Sequence, residues 1–443
     1  MTLPDAFVQR TKAILKDEYQ ALQDAFEIPA PTSIRVNDKI DYHPSDEQVA
    51  WCEQGFYLKE RPLFTADPLF HGGIYYVQEA SSMFLYQAVK QHFSKAHTVL
   101  DLCAAPGGKS TLLSQALPES SLLVSNEINR SRAYILAENI IKWGNPNVVV
   151  TNNEAKDFSS LPGFFDAVVI DAPCSGEGMF RKDPDAINEW SEYNVTLCAQ
   201  RQRDILSSVW DTLKTDGILV YSTCTFNREE NEDNVSWICN ELGAELLSLD
   251  LQGNQDITVS DFGYRFYPHK TRGEGFFLSV LRKTSLSDRK IKNHRENKKT
   301  GKTTNKTDIQ SLSLLEPERW ILLPENNLIK AYDKGRLEDF LLLNKSLNCM
   351  HSGILAGEIK GSDFIPSTCM ALSKKLNRES VENIDVDYRT AISFLKKEAI
   401  QLPETSRGYK LISYKNQPLG WVKNVGNRCN NLYPQEWRIR MKI

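Results

Sequence analysis

The 443-residue chain has no Cys-x-x-Cys pair, no apolar run near the roughly 18 residues of a membrane span, and little excess of either charge, −4 overall. The first absence argues against a structural zinc or a thioredoxin-type motif, and no metal site is expected. The second leaves no membrane partner. Met1-Thr2-Leu3-Pro4-Asp5 also opens without the basic and apolar stretches of a signal peptide, so a cytoplasmic protein is expected. The third means that any nucleic-acid surface must be local. Neither Gly-x-Gly-x-x-Gly nor Gly-x-x-x-x-Gly-Lys-Ser/Thr occurs, so neither a dinucleotide nor a nucleoside triphosphate is indicated.

What the chain does contain is strand alternating with helix from about 71 to 283. Thr98 to Cys103, Leu122 to Glu127, Val148 to Thr151, Ala167 to Ile170 and Ile218 to Ser222 read as buried strands. Helices are expected over 109–117, 131–143, 194–213 and 230–242. Such alternation calls for an α/β fold with a mostly parallel sheet covered on both faces. Gly275 to Leu281 is a further strand with no crossover helix before it, which suggests an antiparallel insertion at the edge. A chain of this length exceeds one core, so a small amino-terminal module (1–70), a central unit (71–283), a basic linker (284–311) and a carboxyl-terminal region (312–443) are expected. A monomer is the default.

Nine cysteines, an odd number, suggest reduced thiols, most of them small buried hydrophobes. Two stand out, because Phe165 to Cys174 and Val220 to Thr225 are apolar runs that each deliver a thiol to a strand end. In an open α/β sheet that is where ligands sit. The turn Cys103-Ala104-Ala105-Pro106-Gly107-Gly108-Lys109 follows the first strand and opens a helix, with small residues that let a ligand approach the backbone. Glu127 ends the second strand, where an acidic residue takes ribose hydroxyls in this architecture. A sugar-bearing, pyrophosphate-free cofactor fits, S-adenosyl-L-methionine being the obvious one.

Two segments bear on RNA. Arg35 and Asn37 alternate along Thr32 to Asn37 and are candidate RNA contacts, although such a strand is more often a plain polar face. From Thr405 to Ile443 there are eight Lys/Arg opposed only by Glu436, interleaved with Trp421, Tyr433 and Trp437. Phosphate attraction and base stacking call for that mixture, and a β-barrel with a charged surface is the plainer alternative. Arg282 to Lys306 carries ten Lys/Arg against Asp288 and Glu296 and reads as a solvated linker.

Several ordered motifs together resemble the Sun/Fmu-type RNA cytosine-5 methyltransferases: Asp101 to Lys109, Asp171-Ala172-Pro173-Cys174-Ser175-Gly176-Glu177-Gly178, Arg181-Lys182-Asp183-Pro184 and Ser222-Thr223-Cys224-Thr225. The match covers roughly residues 30 to 283. The carboxyl terminus resembles the PUA-like end, about 387–443, of the bacterial small-subunit rRNA methyltransferase F branch. The resemblance implies a Rossmann-like class I methyltransferase with a mostly parallel seven-stranded sheet and a β-rich PUA-like domain. It implies methylation of cytosine carbon 5 in RNA, small-subunit rRNA or the assembled small subunit first, with tRNA as an alternative. A non-catalytic ribosome-assembly factor is the reading from another class.

Residue by residue, the resemblance places Cys103, Ala104, Ala105, Pro106, Gly107, Gly108, Lys109, Glu127 and Asp171 around S-adenosylmethionine. Asn153 or Glu154 fills the adenosine contact after the third strand. It makes Cys224 the nucleophile and Cys174 the residue that releases product, with Lys109 and Asp171 near the base. Sequence chemistry alone does not order the two thiols, since DNA cytosine methyltransferases use a Pro-Cys nucleophile. Deleting residues 313 to 443 is expected to weaken RNA binding far more than cofactor binding.

Overall fold

Five runs dense in valine, leucine and isoleucine form the parallel centre of one sheet: Thr98–Asp101, Leu122–Asn126, Val148–Thr151, Phe165–Asp171 and Leu213–Thr223. Successive residues of a strand face opposite ways, and here both faces are covered. Val99, Leu123, Val150, Val169 and Val220 enter one apolar cluster, while Leu100, Val124, Val149, Val168 and Leu219 enter the other. The chain leaves the central Thr98–Asp101 strand first toward Val148–Thr151 and later toward Leu213–Thr223, so the strand order reverses there. A crevice opens outside the carboxyl ends at such a reversal. The computed structural model describes residues 2–39, 42, 44, 46–95, 97–286, 314–402 and 405–443; from residue 287 the expected basic linker lies outside these.

The Rossmann-like fold is as expected, but among the described residues the sheet has ten strands rather than seven. Phe276–Lys283 runs antiparallel beside Leu213–Thr223, and it is not an edge. Ala244–Leu246 and Gly263–Phe266 pair with it, and Thr258–Ser260 lies beyond. At the other side Cys349–Ser352 pairs antiparallel with Val148–Thr151. That strand is too polar and too short to carry a periodic signal, so its place is set by the edge it covers.

The amino-terminal strands Thr32–Val36, Glu47–Gln48, Gly55–Leu58 and Tyr75–Val77 make a separate antiparallel sheet that continues past residue 70. Arg35 and Asn37, read as candidate RNA contacts, are both 1% exposed. The Arg35 guanidinium donates to Gln78 Oε1 at 2.9 Å, Gln115 Oε1 at 2.7 Å and Gly108 O at 3.3 Å, and stacks 4.4 Å from the Trp143 ring centre. Asn37 Nδ2 donates to Gly73 O at 2.8 Å and Trp143 O at 2.9 Å. Arg35 therefore pins this sheet to the Gly108–Ala116 helix behind the glycine turn, and Asn37 pins it to the end of helix Arg130–Trp143. A buried guanidinium needs hydrogen-bond partners, and all three of its nitrogens have one here.

Beyond residue 313, Trp320–Glu325, Leu328–Asp333, Ile354–Lys360 and Asp363–Pro366 form a third sheet, and helix Leu337–Ser346 leads into the Cys349–Ser352 strand. Asn383–Asp385, Gly408–Tyr414, Gln417–Asn424 and Cys429–Asn431 form a fourth. Trp421 and Tyr433, read as base-stacking residues, are 1% and 0% exposed; Tyr433 belongs to its core, and Trp421 packs with Trp320, Ile329 and Ile354 of the third sheet. Lys410 pairs with Glu382 and Lys423 with Asp363, so part of the basic excess is neutralised by acids earlier in the chain. The cations left exposed are Arg407, Lys415, Arg428, Arg438, Arg440 and Lys442.

Candidate functional site

The two strand-end thiols meet. Cys174 and Cys224 Sγ lie 3.1 Å apart, and the Cys224 N–H donates to Cys174 Sγ at 3.4 Å. They come together because parallel pairing sets Asp171 opposite Ser222, and the chain turns alike after each. The loop after Cys174 is then drawn onto the loop after Cys224 by two buried carboxylates. Glu230 accepts from Ser175 N–H at 3.0 Å, the Ser175 hydroxyl, Gln202 Nε2 at 2.8 Å and Asn227 Nδ2 at 2.7 Å. Glu177 accepts from the Thr225 hydroxyl at 2.7 Å, from Phe226 and Asn227 N–H at 2.8 Å, and from Trp190 Nε1 at 3.0 Å. Gly178 N–H also donates to Cys224 O at 2.9 Å, and a Cβ on Gly178 would lie 2.5 Å from Gly275 O.

Lys109, on the first turn of the Gly108–Ala116 helix, reaches Asp171 Oδ2 at 2.8 Å, and the Ser222 hydroxyl donates to Asp171 Oδ1 at 2.8 Å. Burial would lower the Lys109 ammonium, but Asp171, with help from Cys224 and Asp101, outweighs it and the group is held above the ordinary lysine range. Lys109 therefore stays charged beside the thiols. Cys174 is pushed well above the usual thiol range, first by its hydrogen bond with Cys224, then by burial and the negative charge of Cys224 and Glu230. It stays neutral beside the charged Lys109. Asp101, beneath the turn, is pushed up to about 7 chiefly by burial, although it accepts from the Ser110 hydroxyl at 2.6 Å.

Beside the thiols a cleft of about 550 Å³ runs along the strand ends. Leu102, Cys103, Ala105, Asn126, Glu127, Asn153, Asp171 and Cys174 line it, with Cys224 at the thiol end. Burial, then the surrounding carboxylates, raises the Cys103 thiol, which stays neutral. Ala104 packs inward, and Pro106, Gly107 and Gly108 form the turn behind. Gly107 takes φ 120°, and a Cβ there would press on Leu136 at 3.3 Å. Glu127 is oriented by Asn129 N–H at 2.8 Å and by Arg132 at 3.5 Å. Glu154 is not part of the lining: it caps the Ala155–Ser160 turn and pairs with Lys156 at 2.6 Å. Of the two candidates after the third strand, Asn153 alone faces the cleft.

A fixed carboxylate at one end, apolar walls from Leu102, Ile128 and Ile205, a second carboxylate at the other end and no triphosphate loop fit a nucleoside-bearing cation such as S-adenosylmethionine. Sequence reasoning did not single out Ile128, Arg132, Arg201 and Ile205 of the lining, nor Gln202, Asn227 and Glu230 below the thiols. The three-residue spacing of Asn227 and Glu230 was the available signal, since the Asn227 side chain accepts from Glu230 N–H at 2.9 Å. Among the described residues no group of three or more His, Cys, Asp or Glu is placed to hold a metal, and no helix is long and apolar enough to cross a membrane.

Fold and cleft define a class I methyltransferase architecture. The family described as 16S rRNA methyltransferase RsmB/F matches residues 90–282, the RsmF amino-terminal domain matches 3–80 and the RsmF PUA domain matches 381–439. Ribosomal RNA small subunit methyltransferase F of Vibrio cholerae is 31% identical, with 98% of each chain aligned. That of Pectobacterium atrosepticum is 36% identical over 64% of this chain and 63% of its own length. A solved methyltransferase homolog protein from Pyrococcus horikoshii is 27% identical with TM-score 0.55, covering 63% of this chain and 95% of that one. The chain belongs to the ribosomal RNA small subunit methyltransferase F family.

Proposed function

We propose that the protein methylates carbon 5 of a cytosine in small-subunit ribosomal RNA through a covalent Cys224–cytosine adduct that Cys174 resolves. The observation that carries this reading is the 3.1 Å contact of two strand-end thiols beside the Lys109–Asp171 pair. Family membership supports the rRNA substrate. S-adenosylmethionine, held by Cys103, Ala105, Glu127, Asn153 and Asp171, supplies the methyl group.

Carbon 5 of cytosine is a weak nucleophile, and a thiolate added to carbon 6 turns the ring into an enamine that can accept a methyl group there. The family resemblance makes Cys224 the nucleophile, and Cys174, kept neutral beside the cationic Lys109, is the thiol left to resolve the adduct. Lys109, held by Asp171, supplies positive field as negative charge spreads toward ring nitrogen 3. Once Cys224 Sγ is bonded to carbon 6, its charge and hydrogen bond no longer raise Cys174, whose proton is then more easily lost. The Cys174 thiolate takes the proton from carbon 5, the carbon–hydrogen pair restores the ring double bond, and Cys224 leaves as thiolate. A base must be out of its stack for a thiol to reach carbon 6.

Cys224→Ala is expected to lose both turnover and covalent trapping on RNA carrying 5-fluorocytosine. Cys174→Ala is expected to accumulate a protein–RNA adduct that survives denaturing electrophoresis. The opposite pattern assigns the roles the other way round. Methyl transfer to naked RNA, tRNA and assembled small subunits distinguishes the substrate.

A further inference from the structure

The loop after Val148–Thr151 is held by a segment 196 residues further along the chain. Asn152 N–H donates to Asn348 O at 3.0 Å, and Asn348 N–H donates to Asn153 Oδ1 at 3.0 Å. The Asn348 side chain adds a bond to Asn152 O at 3.3 Å. This loop then holds the cleft wall. Asn152 Nδ2 donates to Glu127 O at 2.7 Å and Ile128 O at 2.9 Å. Asn153 N–H donates to Asn126 Oδ1 at 3.0 Å, and Asn126 Nδ2 returns to Asn153 O at 3.0 Å and Leu102 O at 3.1 Å. Asn126, Glu127, Ile128 and Asn153 all line the cleft. With its oxygen on Asn348 and its nitrogen on Asp157 at 3.1 Å, the Asn153 amide has one orientation available.

We infer that Asn348 is a positioning residue for the nucleoside end of the cofactor cleft, so that the chain beyond residue 313 builds the cofactor site as well as any RNA surface. This rests on the reading of the cleft as an S-adenosylmethionine site. It bears on the expectation that removing residues 313 to 443 weakens RNA binding far more than cofactor binding, because that removal also takes away Asn348. The next strand, Cys349–Ser352, is anchored on the sheet edge, so Asn348 meets the loop from a fixed support. An unsupported loop would have to be ordered by the ligand itself, at a cost in affinity.

The test is calorimetric binding of S-adenosylhomocysteine to the full-length protein without RNA. Asn348→Pro removes both the N–H donor to Asn153 and the side-chain amide on Asn152 O, and is expected to weaken binding roughly tenfold, about fivefold from the first bond and twofold from the second. The KM for S-adenosylmethionine should rise in parallel, while kcat at saturating cofactor and RNA affinity stay within about twofold, a split that general destabilisation would not produce. Combined with Asn153→Ala, the proline should add no more than the roughly twofold of the lost side-chain amide, because both remove the bond from Asn348 N–H to Asn153 Oδ1. Should the proline variant not fold, Asn348→Ala, which loses only the amide to Asn152, is expected to weaken binding about twofold. Binding by variants equal to that of the parent overturns the inference. A parent that does not bind S-adenosylhomocysteine sinks the functional reading instead.

Discussion

Leu337–Ser352 and the strands after residue 383 lie in the same carboxyl-terminal stretch, yet they belong to different bodies. Phe340, Leu343 and Leu347 of the first pack with Leu100, Val149 and Val168 of the catalytic sheet, and Cys349–Ser352 covers that sheet's edge. The second closes largely on itself, with Phe394, Ile412, Val422 and Tyr433 in one cluster, and presents its cations outward. The difference teaches that a substrate-facing appendage and a structural part of the enzyme can be neighbours in sequence. An exposed strand edge is a row of unpaired donors and acceptors, and here a distant segment covers it.

That contrast is broken most directly by Phe340→Ala. The side chain is fully buried, so the truncation is expected to cost about 3–5 kcal/mol in urea unfolding of the catalytic unit. A loss under about 1 kcal/mol would make the segment an appendage after all. Next in size, Arg438, Arg440 and Lys442 surround a shallow cleft with Lys396 on the second body. Changing these three to alanine is expected to weaken RNA binding roughly tenfold and flatten its salt dependence. Stability should move by no more than about 0.5 kcal/mol. Unchanged RNA affinity would take the phosphate-binding role away from this body.

The smallest effect comes from His351, in the edge strand, which is held near a pKa of about 4, first by burial and then by Lys330. Its folded value is depressed, so its contribution is complete above the unfolded value of about 6.5 and is lost as pH falls toward 4. His351→Gln should flatten that slope by about 1 kcal/mol, discounted because the ring is partly exposed. The remaining slope belongs in part to His71, also held near about 4 chiefly by burial. An unchanged slope would place His351 outside the packed edge.

The legible parts of the fold and site were those whose signal is local. Runs such as Ala167 to Ile170 are apolar enough to mark a strand buried on both faces, and a glycine pair before Lys109 marks a turn that must approach a ligand. Cys174 and Cys224 were legible as thiols at strand ends, because each run supplies both the strand and the residue that follows it. Arg35, Trp421 and Tyr433 were misread for one reason: polarity and aromaticity do not reveal which way a side chain points. Once buried, each became a fastener rather than a contact for RNA. Glu154 failed similarly, its carboxylate taken by a cap one turn away.

The order of apolar runs, the glycine turn and the identity of the strand-end residues were enough to determine a nucleoside-cofactor architecture with two thiols, since periodicity and residue chemistry act within a few positions. Tertiary structure alone decided that Cys174 is held neutral beside Cys224, that Glu177 and Glu230 clamp the two loops, and that Asn348 supports Asn153. Those outcomes depend on distance and burial between segments far apart in the chain, and electrostatic and hydrogen-bond energies are set by such distances.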